Sequence, residues 1–289
     1  MKPEATSPYS TASSTSIGVS GPQLAILIFA IGFLAVPAAK GVASLSSLPQ
    51  RDVTHLSQVI PMAVEIALIM AIPCLRQRAR HLIEAPVARR DLPEVAAMCI
   101  VVIAAQFALF GAYAVGNWLH GGDEAVRGML LDPARGADQA FATVTLRNLA
   151  LTTLLAPIVE EVVFRGFLFH AWAQNHRTLT AMALTSAVFG ACHPYFIMPF
   201  ALGMLFNSLY VRTGALKSAV LVHFVANGAF WYPLLGQFLF PKTNTGLSSW
   251  RFQLVCLAIF VCFAVAYPIF ASLTKRRGPL EQRSGAANP

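Results

Sequence analysis

Two adjacent acids and one arginine interrupt a long apolar stretch of this chain, in the run LLAPIVEEVVFRGFLF. Charged side chains near the centre of a membrane cost about 2.5–3.5 kcal/mol each on insertion scales, so this cluster indicates chemistry. In a helix, Glu161 faces Arg165 four residues later, whereas Glu160 points about 100° away. We therefore predict that Glu161 forms a structural ion pair and that Glu160 is the reactive acid. The alternative is a buried pair that only ties helices together.

Three further polar side chains lie in later apolar segments. His193 closes the segment after Glu160, and the two residues are about equally far from the short loop between them. Two antiparallel helices joined at that loop would bring both side chains to similar depth. His223 and Asn227 are four residues apart, so they share a helix face and can donate hydrogen bonds to one oxygen. His223 follows a lysine closely, which predicts a shallower position than that of His193. The structural alternatives are a satisfied histidine at a helix end and an interhelical hydrogen bond, worth about 0.6 kcal/mol.

The composition is that of a membrane protein. Of 289 residues, 56% are hydrophobic and only 12% are charged, whereas soluble domains carry about 25% charged residues. The net charge of +8 does not indicate nucleic-acid binding, because the basic residues lie between apolar segments, where they orient helices against the membrane. We predict an all-α polytopic bundle of about eight transmembrane helices, near residues 22–39, 57–75, 94–117, 141–173, 178–193, 196–211, 217–240 and 250–274.

The predicted organisation is one bundle between two tails. In chain order we expect a disordered cytoplasmic tail at 1–20, a single transmembrane bundle at 21–275 with its motif-bearing core at 141–240, and a cytoplasmic tail at 276–289. The positive-inside rule places the Arg-rich loop at 76–90 in the cytoplasm, and both termini with it. We expect the inner membrane of a bacterium. The fourth span is too long for one perpendicular helix, so we predict a kink at Pro157.

The polar residues follow one another in an order that resembles a known family. The text reads Glu-Glu-x-x-x-Arg at 160–165, Phe-x-x-x-His at 189–193 and His-x-x-x-Asn at 223–227. This ordered set is similar to the CAAX-protease and bacteriocin-processing family of intramembrane endopeptidases, over roughly residues 145–235. One departure is Asn207, where the family commonly has Gly. We expect this departure to affect local helix packing more than the chemistry.

The resemblance implies a helical bundle with a cavity open to the cytosol and a glutamate-dependent hydrolysis with no obligatory metal. The implied roles are a general base that activates water (Glu160, with His193), a pair that fixes the site (Glu161 and Arg165) and two oxyanion donors (His223 and Asn227). A metal-dependent variant stays open, because Glu160, His193 and His223 form a two-histidine, one-carboxylate set that could hold zinc.

Three functions compete for this pattern. The leading interpretation is an intramembrane endopeptidase that cleaves a membrane-associated protein or peptide near the membrane surface. The second is a non-catalytic protein of the same fold that binds a membrane peptide, as a self-immunity protein would. The third is a small-solute transporter with Glu65 and Glu160 as proton carriers, although the sequence lacks the inverted repeats of many transporters.

Overall fold

Helices make up the regular structure of this chain in a computed structural model. It describes residues 22–24, 26–28, 30–31, 41, 50–106, 108, 150–193, 196–230 and 250–274. No strand occurs among these residues, which confirms the all-α prediction. The two predicted tails and most of the first predicted span lie outside them.

A sharp bend separates the first two long helices. Helix α1 spans Gln50–Ala71 and helix α2 spans Pro73–Glu84, and the chain turns by 103° between them. Proline suits the first turn of α2, because it lacks the N–H that would otherwise be unsatisfied there. The prediction of a loop at 76–90 was therefore wrong for residues 76–84, which are helical. A 3₁₀ turn at Arg89–Asp91 leads into helix α3 at residues 92–106.

The helix that carries the two acids contains two π-helical stretches. Helix α4 runs continuously from Leu151 to Ala173, with π-helical turns at Leu151–Leu155 and Val162–Leu168 on either side of the α-helical Ala156–Glu161. Pro157 lies just after the first π-helical stretch. A proline cannot donate a hydrogen bond to the preceding turn and crowds it, and a widened turn accommodates both effects. The predicted disturbance at Pro157 thus takes the form of a π-helical turn.

Four helices complete the described bundle: α5 (Thr178–Ala191), α6 (Ile197–Thr213), α7 (Leu216–Phe230) and α8 (Trp250–Leu273). Helix α6 packs against α5, α7 and α8. It ends at Gly214, whose φ of 67° is left-handed and whose N–H donates to the Tyr210 carbonyl. The backbones of α5 and α6 approach closely at Gly203. A Cβ on this glycine would lie only 3.1 Å from the Ser186 Cβ.

Few of the described helices are long enough to cross a membrane alone. Cys256–Leu273, within α8, passes a test of length and hydropathy, and the bent pair α1–α2 would add a second span. Helices α5 and α6 have 14 and 17 residues, against about 20 for a perpendicular crossing. By this test, the described residues hold fewer independent spans than the eight predicted.

A polar cluster joins three helices at some distance in sequence from the acids. The Arg212 guanidinium on α6 donates to Glu94 Oε1 of α3 at 2.9 Å and to the carbonyl of Thr274 at 2.6 Å. The hydroxyl of Tyr267 on α8 donates to the same Glu94 oxygen at 2.7 Å. This cluster fixes α6, which also forms one wall of the site described next.

Candidate active site

The predicted ion pair on α4 is confirmed. The Arg165 Nη1 donates to Glu161 Oε1 at 2.9 Å, and both side chains are 0% exposed. Its Nη2 donates to the carbonyl of Gly203 on α6 at 3.1 Å. The guanidinium carbon lies 4.8 Å from the centroid of the Phe189 ring and 5.3 Å from that of Phe206. The buried cation is therefore held by one carboxylate, one carbonyl and two aromatic rings.

His223 connects the two acids. Its Nδ1 lies 2.8 Å from Glu161 Oε1, and its Nε2 lies 3.6 Å from Glu160 Oε2. Glu161 Oε1, which is paired with Arg165, is the acceptor of this hydrogen bond, so Nδ1 of His223 carries the proton. The distance between His223 Nε2 and Glu160 Oε2 is short enough for an ion pair but too long for a hydrogen bond. The His223 side chain is buried, because α7 packs directly on α4. The shallower membrane depth predicted for His223 stays a prediction.

Glu160 is the more accessible acid, as its helical phase predicted. Its side chain is 23% exposed, against 0% for Glu161. Its Oε2 is buried and has no hydrogen-bond partner among the described residues. The charge of Glu65 on α1 lies within electrostatic range of Glu160, and so does the thiol of Cys192. The Oε2 of Glu160 therefore has no hydrogen bond within the described residues, although His223 Nε2 on α7 lies 3.6 Å from it.

His193 lies beyond the end of α5 and is tied to its own helix. Its Nδ1 donates to the Phe189 carbonyl at 2.7 Å, and its ring lies 4.5 Å from the Phe189 ring. No hydrogen bond or ion pair joins His193 to Glu160 in the described part of the chain, so direct contact between them is not observed. The Phe189 ring also lies 6.0 Å from the His223 ring, and this aromatic residue thus contacts both histidines.

Asn227 anchors α7 to the first π-helical turn of α4. Its side-chain amide donates to the Thr152 carbonyl at 2.9 Å. A π-helical turn leaves backbone groups out of the regular hydrogen-bonding pattern, so a carbonyl there can accept a side-chain donor. The amide has two N–H groups and this bond uses one of them. Asn227 and His223 lie on the same helix, as their spacing predicted.

The residues of the possible zinc set are not gathered into a metal site. Glu160 and His223 approach each other, but His193 is held at the end of α5 by Phe189. Within the described residues, no three His, Cys, Asp or Glu side chains have the geometry of a metal site. As placed, these residues do not fit a three-ligand zinc centre, and no chemical step is derived through one.

Two contacts that support the site were not predicted from the sequence. The Phe206 ring stacks on His223, with ring centroids 4.7 Å apart, and a phenylalanine in an apolar run gives no signal of such a role. Asn207, the departure from the family pattern, is buried and donates to Ser186 Oγ at 3.0 Å. The larger side chain is therefore accommodated between α5 and α6 by a hydrogen bond. The presence of Ser186 on α5 was the only sequence feature that could have indicated this hydrogen bond.

The part of the chain that matches a known protein family contains the helices of this candidate site. Residues 142–229 match the family described as "Type II CAAX prenyl endopeptidase Rce1-like". We call residues 142–229, which resemble this family, the Rce1-like segment. It contains α4, α5, α6 and nearly all of α7, and with them every candidate site residue. The resemblance expected from the ordered polar residues is confirmed for the Rce1-like segment.

A curated relative matches part of the same region. The protein named "Putative membrane peptidase YdiL" of Bacillus subtilis (strain 168) is 28% identical over 80 residues, which are 27% of this chain and 33% of that protein. The matched region thus spans a third of the length of the relative. No solved structure matches the chain significantly. The Rce1-like segment and this relative indicate an integral membrane protein and support a peptidase-type function.

Proposed function

We propose that this chain is an intramembrane endopeptidase that hydrolyses a peptide bond with a glutamate-activated water molecule. The observation that carries the proposal is the buried series of contacts from Arg165 through Glu161 to His223, which ends facing Glu160. An ion pair that only tied helices together would need no imidazole between its acid and a second, accessible acid. The Rce1-like segment and the named peptidase relative support the same reaction class.

Glu160 is the proposed general base. The Oε1 of its neighbour Glu161 already accepts hydrogen bonds from a guanidinium and an imidazole. The Glu161 side chain is also 0% exposed, against 23% for Glu160, so Glu160 is the acid that water can reach. The hydroxide then attacks the peptide carbonyl carbon, and Glu160 passes the proton to the leaving nitrogen as the C–N bond breaks. The Nε2 of His193 is a second acceptor for this water, because its Nδ1 proton is held by the Phe189 carbonyl. Joint action of Glu160 and His193 requires the water to bridge them.

His223 and Asn227 are the proposed oxyanion donors. Because Nδ1 of His223 already carries a proton, the ring can donate from Nε2 only as an imidazolium. Carboxylate oxygens of Glu161 and Glu160 lie 2.8 Å and 3.6 Å from its two ring nitrogens. Asn227 retains a second N–H after its bond to Thr152. Each donor aimed at a developing oxyanion in a dry site is worth roughly 3 kcal/mol. No metal enters this scheme.

The proposed substrate is a membrane-associated protein or peptide cleaved near the membrane surface. The family name alone does not make it a prenylated CAAX protein. The proposed location is a bacterial inner membrane with both termini in the cytoplasm.

Proteomics of membrane fractions tests this function. Cells with the wild-type chain and cells with Glu160→Gln are compared, and Glu84→Gln is the matched control because Glu84 is an exposed acid on α2. We expect uncleaved precursors to accumulate with Glu160→Gln and not with the control. An unchanged set of membrane peptides, with the biological effect of the protein retained in Glu160→Gln, would instead support the non-catalytic peptide-binding interpretation.

A further inference from the structure

A basic pocket lies at the bend between α1 and α2, on a face that the proposed reaction does not use. It has a volume of about 490 Å³ and is lined by Met70, Pro73, Arg76, Gln77 and Arg80. The 103° turn at Ile72 makes this pocket, because it sets the last turn of α1 beside the first turns of α2. The pocket therefore combines an apolar end on α1 with a basic wall on α2.

Helix α2 has two distinct faces. Ala79 and Leu82 are buried in the main core, and Arg78 Nε on the same side donates to the Gly166 carbonyl of α4 at 3.1 Å. A Cβ on Gly166 would lie only 2.8 Å from the Leu82 side chain, which shows how closely the two helices approach. The opposite face, with Arg76 and Arg80, is exposed. The pocket thus sits on a helix that is docked firmly against the Rce1-like segment.

Among the described residues, no acid neutralises the charges of this face. Arg76 Nη1 donates to the Met70 carbonyl at 3.1 Å, at the end of α1. Glu84 is one helical turn beyond Arg80, yet no ion pair joins any acid to Arg76 or Arg80 among the residues that the structure describes. Two guanidinium groups four residues apart on one helix can bind one phosphate together, since each presents several N–H donors.

The surroundings of the pocket are apolar and exposed. Met70, Ile72 and Ile83 are all solvent-exposed large hydrophobic residues beside the two arginines. An inorganic anion would use the arginines and leave these side chains uncovered. A phospholipid would use both, because its phosphate meets the guanidinium groups while its acyl chains cover the apolar residues.

We propose that this pocket binds the headgroup phosphate of an anionic membrane lipid and so holds α2 at the membrane surface beside the Rce1-like segment. The proposal depends on the membrane setting and not on the peptidase reaction, so it stands or falls separately from the proposed function.

The test is lipid binding by the purified full-length chain in an uncharged detergent, measured by native mass spectrometry. The protein is titrated with dioleoylphosphatidylglycerol, with dioleoylphosphatidylcholine and with inorganic phosphate. The pocket variant is Arg76→Gln/Arg80→Gln. Its matched control is Arg89→Gln/Arg177→Gln, which removes the same charge from two exposed arginines outside the pocket. Equal thermal midpoints without lipid check that both variants fold.

We expect the wild-type chain and the control to bind phosphatidylglycerol at least about tenfold more tightly than phosphatidylcholine. The pocket variant should lose about tenfold in affinity for phosphatidylglycerol, the equivalent of one charge-assisted hydrogen bond. Arg76→Lys/Arg80→Lys keeps the charge and should lose less. Equal losses in the pocket variant and the control would overturn the proposal. Displacement of the lipid by inorganic phosphate at equal concentration would also overturn it.

Discussion

Glu161→Gln is the sharpest test of the buried ion pair. Glutamine has nearly the shape of glutamate, so the substitution removes a charge without opening a cavity. Arg165 would then keep the neutral Gly203 carbonyl and two aromatic rings as its direct contacts, with no hydrogen-bonded carboxylate. Both side chains of the pair are 0% exposed, and removing one partner of a buried pair costs about 3–5 kcal/mol. That is a large share of a typical free energy of unfolding, about 5–15 kcal/mol.

The measurement is the free energy of unfolding of the purified chain in mixed micelles, by titration with denaturing detergent. The control is Glu160→Gln, which makes the same chemical change one residue earlier on a side chain that is 23% exposed. We expect the control to lose less than about 1 kcal/mol, because no described residue is hydrogen-bonded to Glu160. The double variant Glu161→Leu/Arg165→Met should regain most of the stability, since it removes both charges together. Equal losses for Glu161→Gln and Glu160→Gln would refute the reasoning.

Three further predictions address neighbouring contacts. Asn227→Ala should lower kcat of substrate cleavage by about 10²–10³ if its amide binds the oxyanion, while stability falls by only about 1 kcal/mol for the lost bond to Thr152; unchanged kcat would remove it from the site. Gly166→Leu should lower the thermal midpoint, because its side chain meets Leu82 and overpacking costs about 1–3 kcal/mol; an unchanged midpoint would contradict the close approach of α2 and α4. Glu94→Gln should destabilise the chain without changing kcat per folded molecule, because its Arg212 contact holds helices rather than substrate; a specific loss of kcat would show that it acts on the reaction.

Local spacing predicted the parts of the site that lie on one helix. The four-residue interval between Glu161 and Arg165 was enough to predict their ion pair, since a helical turn brings these positions together. The helical class followed from composition and from the length of the apolar segments. The same spacing placed His223 and Asn227 on one helix face.

Contacts between helices were harder to predict, because distance along the chain gives depth only when helices are straight and perpendicular. Depth alone favoured His193 as the neighbour of Glu160, but tertiary packing brings His223 there instead. The π-helical turns at Leu151–Leu155 and Val162–Leu168 also change which side chains face inward. A hydrophobic pattern with a period of 3.6 residues contains no signal for such turns.

The two adjacent acids differ because a single residue step rotates them into different environments. Glu161 points towards Arg165 and His223, whose side chains both donate to its Oε1, and its carboxylate is fully buried. Glu160 does not contact Arg165; its carboxylate is partly exposed, and its Oε2 lies 3.6 Å from His223 Nε2. Within this pair of acids, Glu160 is therefore the one more accessible to water. Under the proposed function, the loss of Glu160 should abolish cleavage, whereas the loss of the Glu161 charge should lower stability. The two substitutions to glutamine thus separate these functions although they lie one residue apart.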